Sequence, residues 1–265
     1  MLYDCFIFFN ELELLEIRLN ELDSIVDKFV LVEATKTHTD KPKELIFEQN
    51  KEKFSKFLDK IIHIVVDDFP KGTPLDLEIY QRNAIQRGLI NAKPEDIILV
   101  SDVDEIPRPE VVLQVKDMSG IKTLEQNFYY YYLNVLNKSP WLHGTKVLFY
   151  KDFTTAQEIR MSSHIPLIKN GGWHFSYFGG MEQIKLKIQS FHHQEFNKSK
   201  YTDLKKIEKR MRNNKDVFER KGYKNKTVPI DDTYPKYIIN HLDKFKHFIK
   251  PQKINFLKNI FNKFK

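Results

Sequence analysis

Glu95 to Glu110 reads EDIILVSDVDEIPRPE, and its apolar run Ile97 to Val100 ends on three carboxylates, Asp102, Asp104 and Glu105. An unbroken aliphatic run of this length predicts a strand buried on both faces, as in parallel sheets covered by helices. Ligands of such sheets bind beyond the carboxyl ends of the strands. The three acids stand at such an end.

Upstream, strand and helix signals alternate. LYDCFIFF (2–9) is a strand-length apolar run, and Asn10 with Glu13 predicts a capping box for a helix through ELELLEIRLNELDSIV, with Leu12, Leu15, Leu19 and Leu22 on one face. KFVLVEA (Lys28 to Ala34) predicts the next strand, followed by a short strand at Leu45 to Phe47 and a helix near Lys51 to Leu58. IIHIVV predicts another strand, and Leu75 to Asn91 a helix, before the acidic stretch. The expectation is an α/β fold with a mostly parallel central sheet flanked by helices, in one domain. Downstream, KTLEQNFYYYYLNVL and TKVLFYKDF predict strands, and GGWHFSYFGGMEQ (171–183) leads into a helix from Met181 to Phe191.

The chain has 265 residues, 41% of them hydrophobic, enough for a globular core. No apolar run reaches the roughly 20 residues of a membrane span, and Asp4 stands where a signal peptide would be basic. Neither a signal peptide nor a transmembrane segment is expected, and the single cysteine, Cys5, fits a cytoplasmic location. From Lys200 onward there are 19 Lys and Arg against 7 Asp and Glu, whereas the whole chain has 43 against 36. A mildly acidic body with a basic tail excludes a nucleic-acid reader. Residues 1–199 therefore read as one body, the catalytic domain of the resemblance given below, and 200–265 as a basic, mainly helical C-terminal extension. Its end places Ile254, Leu257, Ile260, Phe261 and Phe264 on one helical face suited to an anionic membrane surface.

Asp102 and Asp104 on one bend suit a hard cation, Mn²⁺ or Mg²⁺, with positions open for phosphate oxygens. A calcium loop is excluded, because Ile106 and Pro107 stand where it needs a ligand and a glycine. Glu182, in the first turn of the Met181 helix, is either a partner of the helix dipole or a general base. His192 and His193 offer imidazoles to the metal, and His174 competes for that role. Tyr129 to Tyr132 and Trp173 offer aromatic faces to a ligand, although alternate tyrosines of a strand must face the core.

YDCFIFFNELELLEIRLNELD, FVLVEATKTHTDKPKELIF, QRNAIQRGL, SDVDEIPRPE and GGWHFSYFGG, in this order, resemble glycosyltransferase family 17, over about three quarters of the chain. The resemblance implies a GT-A type nucleotide-diphospho-sugar transferase fold. It also implies a metal-dependent, inverting transfer of N-acetylglucosamine from UDP-GlcNAc to a hydroxyl of a glycan or glycolipid acceptor. By the same resemblance Asp102 and Asp104 bind metal and donor, Glu182 is the base, and His192 or His193 is a further metal ligand. Phe9, Asn10, Glu11, Glu33, Arg82 and Asn83 fall at donor positions, with Trp173, His174 and Tyr177 on the acceptor side. The rival readings are a metal-dependent phosphoesterase or nucleotidyltransferase and a non-catalytic sugar-binding protein.

Overall fold

The computed structural model describes residues 1–251. Within them one ten-stranded sheet is built from β1 (Leu2–Phe8), β2 (Lys28–Ala34), β3 (Ile61–Val66), β4 (Ile97–Asp102), β5 (Glu105–Pro107), β6 (Lys122–Tyr130), β7 (Val135–Asn137), β8 (Lys146–Phe149), β9 (Leu167–Ser176) and β10 (Asn225–Thr227). β3, β2, β1 and β4 lie side by side and parallel, so four of the first five expected strands form one block. Beyond β4 the sheet is mixed rather than mostly parallel: β8 runs antiparallel to both β4 and β6, and only the β6–β9 pair is parallel. The connection from β6 to β7 is four residues, 131–134, too short for the dozen or more that a parallel crossover needs, and the returning chain runs back along β6 through the Gln126–Trp141 bridge into β8.

The alternation of side chains along each strand divides the core into two faces. Phe6, Phe8, Leu31 and Leu99 pack with Leu15, Leu19 and Leu22 of the Leu12–Leu22 helix on one side. Cys5, Val30, Val32 and Val100 pack on the other against Ala84, Ile85 and Leu89, the tight turn that follows the Pro74–Asn83 helix. Gly88 lets that turn lie on β2, for a Cβ there would stand 2.4 Å from Val30 Cγ1. Burial raises the Cys5 thiol pKa well above its ordinary value, so it behaves as an inert core residue.

Two local expectations give way to tertiary context. The Asn10–Glu13 capping box does not form: the N-cap is Glu11, whose Oε2 turns back to accept from the Phe9 and Asn10 amides. Leu45 to Phe47 is no strand either. Ile46–Asn50 is a helix whose Phe47 amide donates to buried Glu33 Oε1 at 3.1 Å, while β3 already occupies the edge of β2.

The chain after Lys200 is built into the core. Ile207 and Met211 of the Leu204–Arg212 helix pack with Ile184, Ile188 and Tyr130, and Tyr234, Ile238 and Phe245 pack with Tyr129, Trp173 and Phe175. The apolar face expected at Ile254 to Phe264 lies outside the described residues. Among the described residues no helix is long and apolar enough to cross a membrane.

Candidate functional site

The carboxyl ends of β1, β2 and β4 open into a cavity of about 360 Å³. Its floor is the Asp102–Glu105 bend, which is fixed from beneath by one fully buried arginine. Arg18 clasps Asp4 with Nε and NH2, at 2.7 and 2.6 Å, and NH2 also reaches Ser101 Oγ at 2.6 Å. Its NH1 donates to the carbonyls of Asp102, Val103 and Glu105, at 3.0, 3.3 and 2.9 Å. Three backbone acceptors converge on one guanidinium, so the bend is preorganised.

Each carboxylate of the bend then meets a cation, Arg160 being shared by Asp102 and Glu105. Asp102 lies between Arg82, 2.5 Å from Oδ1, and Arg160, 3.4 Å from Oδ2. Burial opposes its ionisation, but Arg82 and then Arg160 hold its pKa below the usual carboxylate range. Asp104 Oδ2 is 3.0 Å from Lys187 Nζ and 3.6 Å from His174 Nε2. There too burial opposes ionisation, and Lys187 followed by His174 holds the pKa well below that range. Glu105 accepts from both Arg160 NH groups at 2.5 Å and from Trp141 Nε1 at 2.6 Å.

Lys187 arrives from the Met181–Ser190 helix, which starts after Gly179 and Gly180 at φ +99° and +90°. Only glycine takes such a turn without strain, and it aims the helix so that its second turn meets the acidic bend. On the wall nearby, Glu78 binds His192 Nδ1 and Arg82, the latter at 2.8 Å. Burial opposes its ionisation, but His192 and then Arg82 keep it strongly ionised.

The opposite wall is aromatic, and strand alternation decides which rings reach it. β6 and β9 pair in the register Phe128 to His174 and Tyr129 to Phe175. Phe128, His174 and Ser176 therefore line the cavity, while Tyr129, Trp173 and Phe175 enter the core behind it. The Phe128 and His174 rings stack at 5.0 Å, and Trp141 lies 4.7 Å from His174. Gly172 makes the pairing with β5 possible, since a Cβ there would stand 2.2 Å from the Ile106 carbonyl.

Of the residues expected from sequence, Phe9, Glu11, Arg82, Asp102, Asp104, His174, Tyr177, His192 and His193 all line this cavity. Five others stand elsewhere. Asn10 bonds Gln183 at 2.7 Å, and Asn83 accepts from the Gln157 amide at 2.9 Å. Glu33 is buried against Lys43 and His63, on the strand face opposite that of cavity-lining Ala34. Trp173 is 1% exposed, its Nε1 on the Thr233 carbonyl at 2.9 Å and its ring under Arg108. Glu182 is exposed in the first turn of its helix, off the cavity wall. Nor does the expected ligand set Asp102, Asp104, His192 and His193 converge. His192 is bound to Glu78 and His193 to Glu195, and among the described residues no three His, Cys, Asp or Glu side chains gather as a metal group.

A comparison with protein families finds that the profile of glycosyltransferase family 17 matches residues 1–252. The chain belongs to glycosyltransferase family 17. Curated relatives include the human and rat beta-1,4-mannosyl-glycoprotein 4-beta-N-acetylglucosaminyltransferases, each 31% identical over 120 residues. Each match covers 42% of this chain and only 22% of the relative. A solved 4-diphosphocytidyl-2C-methyl-D-erythritol synthase overlays at TM-score 0.36 and 12% identity, covering 63% of this chain and 88% of the other. That likeness carries no weight for the fold.

In this family 17 chain, sequence reasoning missed Glu78, Trp141, Arg160 and Lys187. A weak signal existed for Glu78, which stands four residues before Arg82 on a helix, the spacing of an ion pair. Arg160 and Lys187 look like ordinary surface-helix cations, and only the tertiary fold brings them to the acids. Glu182 yields a direct prediction. Loss of a general base costs about 10²–10⁴ in rate, whereas loss of a helix-end charge leaves the chemistry intact. Its position off the wall predicts that Glu182→Gln keeps initial rates within about threefold of wild type; a fall approaching the base-like range would restore it to the mechanism.

Proposed function

We propose that this chain transfers N-acetylglucosamine from UDP-GlcNAc to a hydroxyl of a glycan acceptor, inverting the anomeric centre. The carrying observation is a single cavity at strand carboxyl ends whose floor alternates ionised carboxylates with cations and whose far wall is aromatic. A nucleoside diphosphate suits the charged floor, and a sugar ring suits the Trp141 and Phe128 faces. The parallel block of β1 to β4, with the acidic bend at its edge, supports a GT-A type fold.

The donor chemistry at Asp104 also fits a hard divalent cation. Mn²⁺ or Mg²⁺ needs only one or two carboxylates beside phosphate oxygens, and the Lys187 ammonium on Asp104 supports a preference for positive charge at that carboxylate. When bound, such an ion supplies charge to a departing diphosphate. The chain's own groups do the rest. Arg82 and Arg160 orient Asp102, Arg18 fixes the bend, and Glu105 ties Trp141 to that bend.

The test is a mass-spectrometric panel of UDP- and GDP-sugars against glycan acceptors, with anomeric configuration read by proton NMR. Acceptor-dependent formation of a β-linked product is expected. Release of nucleotide at the same rate without acceptor would favour the phosphoesterase reading, and sugar binding without turnover the non-catalytic one. Trp141→Ala should raise the acceptor KM about tenfold with donor KM little changed, whereas Trp141→Phe, which keeps a ring face, stays within about threefold. Equal effects on both substrates would place Trp141 with the donor.

A further inference from the structure

Both Asp104 and Glu11 approach the same ammonium. Lys187 Nζ is 3.0 Å from Asp104 Oδ2 and 3.6 Å from Glu11 Oε1. Glu11 is held for this by its other oxygen, Oε2, which accepts the Phe9 and Asn10 amides at 3.2 and 3.0 Å. Asp102 is engaged differently, each of its oxygens facing an arginine. A second feature marks the same place. The His174 side chain, 8% exposed, has Nε2 beside Asp104 and a buried Nδ1 with no hydrogen-bond partner.

We propose that the divalent cation of this site is held by Asp104 together with Glu11, that Lys187 occupies its place when it is absent, and that metal binding expels the Lys187 ammonium. This deepens the reading of the cavity as a metal-assisted transferase site and rests on it. The physical basis is competition. One tethered charge and one free ion cannot share a gap of this width, since like charges a few ångströms apart repel strongly at low local dielectric. Lys187 can leave, because its side chain is 30% exposed and its helix starts on a glycine turn. In the absence of metal the ammonium neutralises two carboxylates that would otherwise repel each other.

The experiment measures Mn²⁺ affinity by electron paramagnetic resonance, without donor, on the full chain. Lys187→Met is expected to tighten Mn²⁺ binding at least about tenfold and Lys187→Arg to leave it within about threefold, while Glu11→Gln and Asp104→Asn each weaken it at least about tenfold. Asp102→Asn is expected to stay within about threefold. A wild-type measurement guards against misfolded variants. Titration with diamagnetic Mg²⁺ should move the Lys187 Cε–Hε NMR signal toward that of a solvated lysine, with the midpoint of metal binding. Unchanged affinity in Lys187→Met, a stationary Lys187 signal at saturating Mg²⁺, or Asp102→Asn losing as much as Asp104→Asn would overturn the proposal. If Mn²⁺ fails to bind and glycosyl transfer continues in EDTA, this inference falls while the transferase reading stands.

Discussion

Asp104→Asn is expected to lower the rate of sugar transfer by on the order of 10³ or more, at saturating donor and acceptor, while the protein stays folded. Asparagine keeps the shape of the side chain and loses its charge. The Asp104 main chain is unaffected, because its carbonyl continues to accept the Phe175 amide at 2.9 Å. Lys187 retains Glu11 and a path to solvent, so no charge is stranded. What disappears is the fixed negative charge on which, in the proposed reading, a cation at the donor diphosphate depends. The pH behaviour separates this from a folding defect. Burial opposes ionisation of Asp104, yet Lys187 and His174 hold its folded pKa well below the unfolded value of about 3.9. Its stabilising contribution is thus present above about pH 4 and is lost as pH falls through the folded value. The difference in melting temperature between wild type and variant should therefore be flat from pH 5 to 8 and shrink in stronger acid, while the rate defect persists at neutral pH. Wild-type turnover in the variant would remove Asp104 from the site.

The contrast between what was legible and what was not follows from which forces are local. β1 to β4 could be read because each is a strand-length apolar run, and β2 has the bounds Lys28 to Ala34 that its composition sets. The acidic bend could be read because carboxylates directly after a buried apolar run mark the end of that strand, although Glu105 re-enters the sheet at once as the start of β5. Tyr129 and Tyr130 could not be sorted, since the surroundings each one meets depend on the pairing of β6 with β9, and Tyr131 and Tyr132 lie in the turn beyond the end of β6. Trp173 was misleading for the same reason. Adjacent to cavity-lining His174, it points to the opposite side of the strand. Trp141 carries no pattern of its own and reaches the site through a bond to Glu105. Lys187 is similar: its helix has the composition of a surface helix, and only the Gly179–Gly180 turn aims it at the bend. Yet one signal was plainly present. Asp4 interrupts a buried strand, and Arg18 falls on the apolar face of the next helix, between Leu15 and Leu22. Two charges at core positions require each other.

Arg18→Met should be the most destabilising single change in the floor of the site, costing about 3–5 kcal/mol, or a fall in melting temperature of roughly 10 °C. The substitution leaves Asp4, fully buried, without its counter-charge, and removes the shared donor of three carbonyls. The two losses can be separated. Asp4→Leu combined with Arg18→Met eliminates the stranded carboxylate and fills the space with apolar volume, so most of the stability should return. Activity should not return with it. The Asp102–Glu105 bend still lacks the guanidinium that fixes its carbonyls, and misplacing Asp104 by about 1 Å costs on the order of 10² in rate. Melting curves and initial rates, both taken well below the melting temperature of the weaker variant, make the comparison. A double variant that regains stability and rate together would show that Arg18 serves only the core. One that is stable but slow shows that the buried pair exists to hold the acidic bend in place.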